Sequence, residues 1–368
     1  MATTIVRNGL RVQAWDDKFF TEYMRTNKFA KFMGMNEAAI IQVKEDLMRQ
    51  AGDSLTFQMI GRLKQAATRG ANTLANREES LNTRSQRVYV ELVRHAVAID
   101  VKTEQIKTDI DLRDAGGVAL KDWALDLIRA DLIDAMMSID GTKFSSATAA
   151  QRNTWLSNNR DRVLFGATVS NHSSYVHATA TTTIDNTNDK LTPAAISLMK
   201  RIAKRADPRI RPVKVKNDEE WFVMFANSLS FRDLANNATM TENNRDARVR
   251  GEDNPLFTGG DLIYDGVIIK EIEEMPITAN VGASGTVDVG PAILCGAQAL
   301  GMAIAQRSQS IEDTPRDFER ILPIGIEEIR GIQKLRFGTS ASASPSADLT
   351  TPKDFGIVTG WFAAEPDA

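Results

Sequence analysis

The stretch from Asp111 to Gly141, DLRDAGGVALKDWALDLIRADLIDAMMSIDG, constrains the fold of this chain more than any other. Leu125, Ile128, Leu132, Met136 and Ile139 recur at helical spacing and form one broad apolar stripe. Leu120, Trp123, Leu127 and Ala130 cover much of the opposite side, which leaves Asp122, Asp126 and Arg129 as a narrow polar strip. A helix apolar around most of its circumference has to be sandwiched between other elements. Asp111 and Asp114 supply carboxylates for the free amide groups at its start, and Gly141 marks its end. Gly116 and Gly117 weaken the first turn, so the firm part is expected from near Val118.

A chain of 368 residues has room for two or three structural units around an ample core. With 42% apolar and 25% charged residues it has the composition of an ordinary globular protein. A net charge of −3 gives no global basic field to recruit nucleic acid or an acidic membrane. The single cysteine, Cys295, lies in the apolar run AILCGAQAL and reads as a buried inert thiol, unable to form an internal disulfide or a cysteine-based metal site. No apolar run approaches the roughly 20 residues that span a bilayer, and MATTIVRNGLRVQAWDD has no signal-peptide core. A reducing, soluble compartment is expected.

Residues 1–34 scatter Trp15, Phe19, Phe20, Tyr23, Phe29 and Phe32 among charges, as in a segment that reaches out and docks elsewhere. Asn36 then reads as the cap of a helix over EAAIIQVKEDLMRQ. SLTFQMIGRL alternates as a half-buried strand, and QRVYVELVRHAVAID mirrors it. Between them lies a polar stretch without a core pattern; the region carries Arg62, Lys64, Arg69, Arg77 and Arg84. Two strands with so long a polar tip make an extended hairpin, and a connection of that length suggests an arm reaching a neighbouring subunit.

Residues 142–190 are rich in Ser, Thr, Asn and Ala and read as an insertion of loops and short strands with little core. His172 and His177 within it lack flanking carboxylates or cysteines and read as solvated. Thr192 caps, and Pro193 opens, a helix over LTPAAISLMKRIAKRAD. The basic run PRIRPVKVK is interrupted by prolines, lacks interleaved aromatics and reads as an exposed linker. EEWFVMFAN, LIY, VIIKEI, PAILCGAQAL, ERILPIGIEEIRGIQKLRFG and DFGIVTGWFAAE read as strands, SFRDLANN as a short helix and TSASASPSADLTTP as a solvated connector.

The chemistry-bearing patterns are absent. His95, His172 and His177 fall in no triad or metal signature, no phosphate-cradling glycine loop follows a strand, and adjacent pairs such as Glu327–Glu328 do not converge. No cofactor or metal is implied, and the chain reads as a structural or interaction protein, not an enzyme.

The blocks EAAIIQVKEDLMRQAGDSLTFQMIGRL, REESL, RVYVELVRHAV and DLRD, then NPLFTGGDLIYDGVIIKE, IRGIQKLRFG and DFGIVTGWFAA, resemble in order the major capsid proteins of tailed bacteriophages. The resemblance spans residues 36–140 and 191–365, and residues 142–190 follow no pattern of that family. It implies an α+β fold of the Hong Kong 97 type. Residues 1–50 would form an N-terminal arm, 51–100 an extended loop, and 101–141 a peripheral domain with its spine helix. Residues 191–310 would form an axial domain, and 311–368 the return to the peripheral one. It implies pentamers and hexamers of one chain in an icosahedral virion shell, assembled in the host cytoplasm. Double-stranded DNA would lie inside without sequence-specific contact. Scaffolding, portal and cement proteins would be the other partners; with no long scaffolding extension at the N-terminus, a separate scaffolding protein, or none, is expected. The basic tip (Arg62, Lys64, Arg69, Arg77) would meet an acidic surface on a neighbour. Two alternatives stand beside this reading: an encapsulin-like shell around a protein cargo, and a soluble hydrolase using Glu104, Asp109 and Asp111.

Overall fold

The computed structural model describes residues 27–46, 52–63, 65–70, 72–79, 83–100, 104, 107–108, 111–214, 220–242, 262–312, 317, 320–340 and 349–366. The N-terminal half runs β1 (Met33–Gly34), β2 (Ile41–Lys44), β3 (Ser54–Ile60), β4 (Thr83–Tyr89), β5 (Glu91–Asp100), α1 (Leu112–Met137), α2 (Ala149–Asn158), β6 (Val163–Phe165) and α3 (His177–Thr182). Then come α4 (Pro193–Arg205), β7 (Val213–Lys214), β8 (Glu220–Ala226), α5 (Ser228–Ala235), β9 (Leu262–Tyr264), β10 (Val267–Glu271) and β11 (Val289–Cys295). The chain closes with β12 (Leu300–Glu312), β13 (Ile321–Lys334), β14 (Arg336–Ser340), β15 (Leu349–Asp354) and β16 (Ile357–Ala363).

Helix α1 starts where the sequence places it. The Asp111 carboxylate accepts the amides of Arg113 and Asp114, a cap worth about 1 kcal/mol. The helix then runs straight through Gly116 and Gly117. A Cβ on Gly116 would stand 2.9 Å from Ile99 and 3.1 Å from Ile324, so glycine lets the first turns settle onto β5 and β13. The helix stops at Met137, short of Gly141, where the Ser138 amide and hydroxyl both donate to the Ala135 carbonyl. Leu125, Ile128, Leu132 and Met136 are buried with Leu120, while Val118 and Ala130 stay exposed. One flank of the helix is therefore left open by its own chain.

Two sheets carry the body. A five-stranded sheet has the order β1-β2-β12-β13-β5, and a seven-stranded sheet runs β6-β16-β11-β8-β10-β9 with β7 on β8. The largest core lies between α1, the first sheet and one face of the second. A second core fills the space between the other face and α4. The Asp265–Gly266 turn joining β9 to β10 has positive φ at both residues (47° and 69°), the mirror-image turn that Asp-Gly favours. Cys295 is fully buried, which pushes its thiol up to about 12.

Three expectations need correction. The helix over residues 37–46 is absent: β2 is a strand, paired in parallel with both β1 and β12. Ile40, Ile41 and Val43 are β-branched and buried there, so sheet packing overrides the apparent helical period; Leu47 and Met48 lie outside the described residues. Residues 142–190 are no loose insertion with little core. Trp155, Leu156, Val163, Phe165 and Ile184 are all buried, and β6 pairs in parallel with β16. The run 208–216 is exposed only in part: Ile210 is fully buried, Arg211 donates to Gln298, and β7 adds to β8.

Candidate assembly surfaces

The hairpin is built by β3 and β4, antiparallel from Ser54 opposite Tyr89 to Ile60 opposite Thr83. Alternation puts Leu55, Phe57, Met59 and Val88 on one face, where they form a small separate core with Ala303, Leu335, Phe337 and Phe355. The base is thus seated on its own body. Gln86 stitches it down: its amide nitrogen donates to the Lys334 carbonyl (3.1 Å) and its oxygen accepts the Arg336 amide (2.7 Å). Sequence reasoning missed Gln86, because an amide in an alternating strand reads as facing solvent.

Beyond Ile60 the chain leaves the body. Leu63 and Leu74 are 52% and 62% exposed. Arg62, Arg69 and Arg77 are exposed too, and among the described residues none of them forms an ion pair. Lys64 lies outside the described residues. The Glu79 carboxylate accepts the Gln65 amide at 2.7 Å and closes the tip across its neck. Arg84 is different: its Nε donates to the Gly338 carbonyl (2.9 Å) and its guanidinium lies over the Phe337 ring (5.8 Å). It anchors the base, whereas Arg62, Arg69 and Arg77 stay exposed.

A buried polar network lies at the joint between β13, β15 and α2. The Asp354 carboxylate accepts Lys334 Nζ (3.0 Å) and Trp155 Nε1 (3.1 Å), and its carbonyl accepts Arg162. The Asp354 amide donates to Asn159 (2.8 Å). Next to it, burial pushes the Asp161 carboxyl up, but Arg162, Lys353 and the Asp207 amide outweigh burial and hold it near 2.

His172 and His177 are buried, against the solvated reading. His172 Nε2 lies 3.2 Å from the Arg160 carbonyl. His177 is 5% exposed and packed among the rings of Phe144, Phe165 and Trp361 at 5.4–5.7 Å. Burial, assisted by the Arg152 charge, lowers its pKa from 6.5 to about 4. The folded state therefore holds His177 neutral where the unfolded chain takes up a proton. Its contribution is complete above pH 6.5 and is lost as pH falls toward about 4, by about 3 kcal/mol at most. Urea unfolding at about pH 7.5 and about pH 4.5 should show a smaller acid loss in His177→Gln than in the parent chain.

The carboxylates of the hydrolase alternative have structural partners: Asp111 caps α1, and Glu104 pairs with Lys107 at 2.8 Å on the surface. Asp109 lies outside the described residues. Among the described residues no group of three or more His, Cys, Asp or Glu could hold a metal ion, and no helix is long and apolar enough to cross a membrane.

A model of the family described as phage capsid protein matches residues 3–363. The major capsid protein of Pseudomonas phage KPP25 is 26% identical over 371 residues, covering 95% of this chain and 94% of that protein. The Cyanophage Pam1 capsid subunit superposes with a TM-score of 0.79 at 32% identity, covering all of both chains. The capsid of Ralstonia phage GP4 gives 0.73 at 22% identity over 93% of this chain and 92% of that one. The α+β architecture is thus the Hong Kong 97-type fold, and the chain belongs to the phage capsid protein family as a shell-forming major capsid protein.

Proposed function

We propose that copies of this chain close into five- and six-membered rings that tile an icosahedral shell around double-stranded DNA. A heterologous contact, in which one patch meets a different patch on the next copy, makes rings when its rotation closes. Many weak contacts per subunit then act together to hold each copy in place. The observation that carries this reading is the hairpin tip. It exposes Leu63 and Leu74 beside Arg62, Arg69 and Arg77, a combination with no use on a lone globule.

In this arrangement the peripheral domain is built on α1 and the five-stranded sheet and the axial domain on the seven-stranded sheet, so the expected bounds of 191–310 and 311–368 shift: β12 (Leu300–Glu312) goes with the peripheral domain and β16 (Ile357–Ala363) with the axial one. The tip basic groups meet an acidic surface on a neighbour, which sets register more than affinity. With a net charge of −3, the chain meets packaged DNA through local surface groups and without sequence readout. Scaffolding, portal and cement proteins are the further partners of such a shell, and assembly takes place in the host cytoplasm. The role is structural and involves no catalysis.

Deleting residues 65–79, which leaves both strands of the hairpin intact, should yield a folded chain that forms no shells. Electron microscopy and size-exclusion chromatography of the expressed protein check this; normal particles from the deletion would refute the role of the tip. Nuclease-protected DNA in parent particles supports a genome container, and a protein cargo in its place would indicate a compartment shell.

A further inference from the structure

The run PRIRPVKVK reads as a linker, yet the fold brings its start against cations from two other parts of the chain. The Asp161 carboxylate accepts the Asp207 amide at 2.9 Å and pairs with Arg162 (3.1 Å) and with Lys353 on β15 (3.3 Å). Arg162 Nη2 donates to the Pro208 carbonyl (3.3 Å), and Lys353 Nζ donates to the Asp207 carbonyl (3.0 Å). The segment after α2, the loop after α4 and the end of β15 are thus pinned at one point. Arg160 flanks that point on the first segment, and Arg205 and Arg209 flank it on the second. Arg201 lies one turn back along α4, about 6 Å from Arg205 along the axis.

Arg160, Arg201, Arg205 and Arg209 are all exposed, and among the described residues none of them forms an ion pair or a side-chain hydrogen bond. The carboxylates around them are engaged: Asp161 by the pinning contacts, Glu220 by Lys204 (3.0 Å) and Asp265 by Lys200 (2.8 Å). Asp207, exposed on the loop itself, is a single charge against four. Cations in the last turns of a helix complement its dipole, so Arg201 and Arg205 alone would mean little. Arg160 and Arg209 lie off the helix and have no such use. On a chain whose net charge is −3, these four arginines make a local basic field that serves no contact within the described residues. The ligand it fits is a run of phosphates. Duplex DNA carries one negative charge per about 1.7 Å of axis, and the guanidinium fork matches phosphate oxygens. Interleaved aromatics, absent here, serve single strands; a duplex has its bases already stacked.

We propose that Arg160, Arg201, Arg205 and Arg209 form a docking patch for the phosphate backbone of the packaged duplex, and that this part of the subunit faces the lumen of the shell. This rests on the reading of the shell as a container of double-stranded DNA. Arg162 and Lys353, held by Asp161, fix the segments that carry Arg160 and Arg209, so the outer arginines keep one spacing on every copy. Phosphates are alike at every step, so the contact positions DNA without reading its sequence.

The test is fluorescence anisotropy of a labelled random-sequence duplex titrated with the unassembled full chain, taken from the subunit fraction of a sizing column. Four phosphate contacts should weaken binding about a hundredfold between about 50 and about 200 mM salt. The fourfold variant Arg160→Gln, Arg201→Gln, Arg205→Gln and Arg209→Gln should lower the slope of log affinity against log salt by about three to four, with the melting temperature unchanged. Arg87→Gln with Arg94→Gln, which removes two exposed cations from β4 and β5, should keep the parent slope. An unchanged slope in the fourfold variant would overturn the proposal. So would an equal loss per cation in the Arg87–Arg94 variant, which would make binding a property of the whole surface. Tighter binding of poly-glutamate than of the duplex would assign the patch to an acidic protein and overturn it too. Parent shells that hold protein instead of DNA would sink the container reading, and the anisotropy result would still decide the patch.

Discussion

Asp354→Ala should destabilise the folded chain by about 3–5 kcal/mol, because it strands a charge in the interior. Lys334 and Asp354 are only 2% and 3% exposed, and the carboxylate also holds Trp155 Nε1. Without Asp354, the Lys334 ammonium loses its 3.0 Å partner and lies over the Trp155 ring in a setting that water does not reach. Two charges out of water gain little net energy from each other, so the pair itself adds less than its rupture removes. The double variant Lys334→Met with Asp354→Leu should therefore recover much of the loss. Urea unfolding of the parent chain, Asp354→Ala and the double variant checks both statements. Equal losses in the single and double variants would show that packing around the site matters more than the charge.

Gly331→Ala should cost at least about 3 kcal/mol, the upper range for forcing atoms into a filled space. A Cβ at this position would stand 1.9 Å from the Tyr89 carbonyl oxygen and 2.8 Å from its carbon. That neighbour is backbone and cannot swing aside. The crowding occurs where the continuous strand expected over residues 86–100 breaks at Val90 into β4 and β5. β5 stays in the sheet on β13, whereas β4 leaves to pair with β3. Gly331 is thus the place where β13 lets the hairpin cross over it. Melting curves of Gly331→Ala and Gly325→Ala make the comparison. Gly325 meets its nearest atom at 3.1 Å, so its variant should lose clearly less.

The residues that fix local structure were legible in the sequence. Asp111, Thr192 and Pro193 announce helix starts through chemistry confined to one turn, and Asp265–Gly266 announces a hairpin in the same way. The alternation of Leu55, Phe57 and Met59 gave the buried face of β3 because a period of two leaves no other choice. What misled was pattern without partners. Ile40, Ile41, Leu47 and Met48 fit a helical period, yet Ile41–Lys44 is flanked by β1 and β12, and a strand between two strands gains pairing on both edges. His177 sits among Ser, Thr and Ala, and nothing local indicates that Phe165 and Trp361 close over it from distant strands. The same limit applies to the candidate surface. Arg62, Arg69 and Arg77 were separated from the core by their setting, but Arg84 differs only by contacts with Phe337 and Gly338, more than two hundred residues downstream.

The eight-residue core under the hairpin base has a mechanical consequence. A pull on the tip would enter the subunit through Phe57, Met59 and the two Gln86 hydrogen bonds. Those contacts are few and separate from the main interior, so they give way first, like a fuse, while the two sheets keep their shape. A subunit built this way can be pulled at its tip and recover.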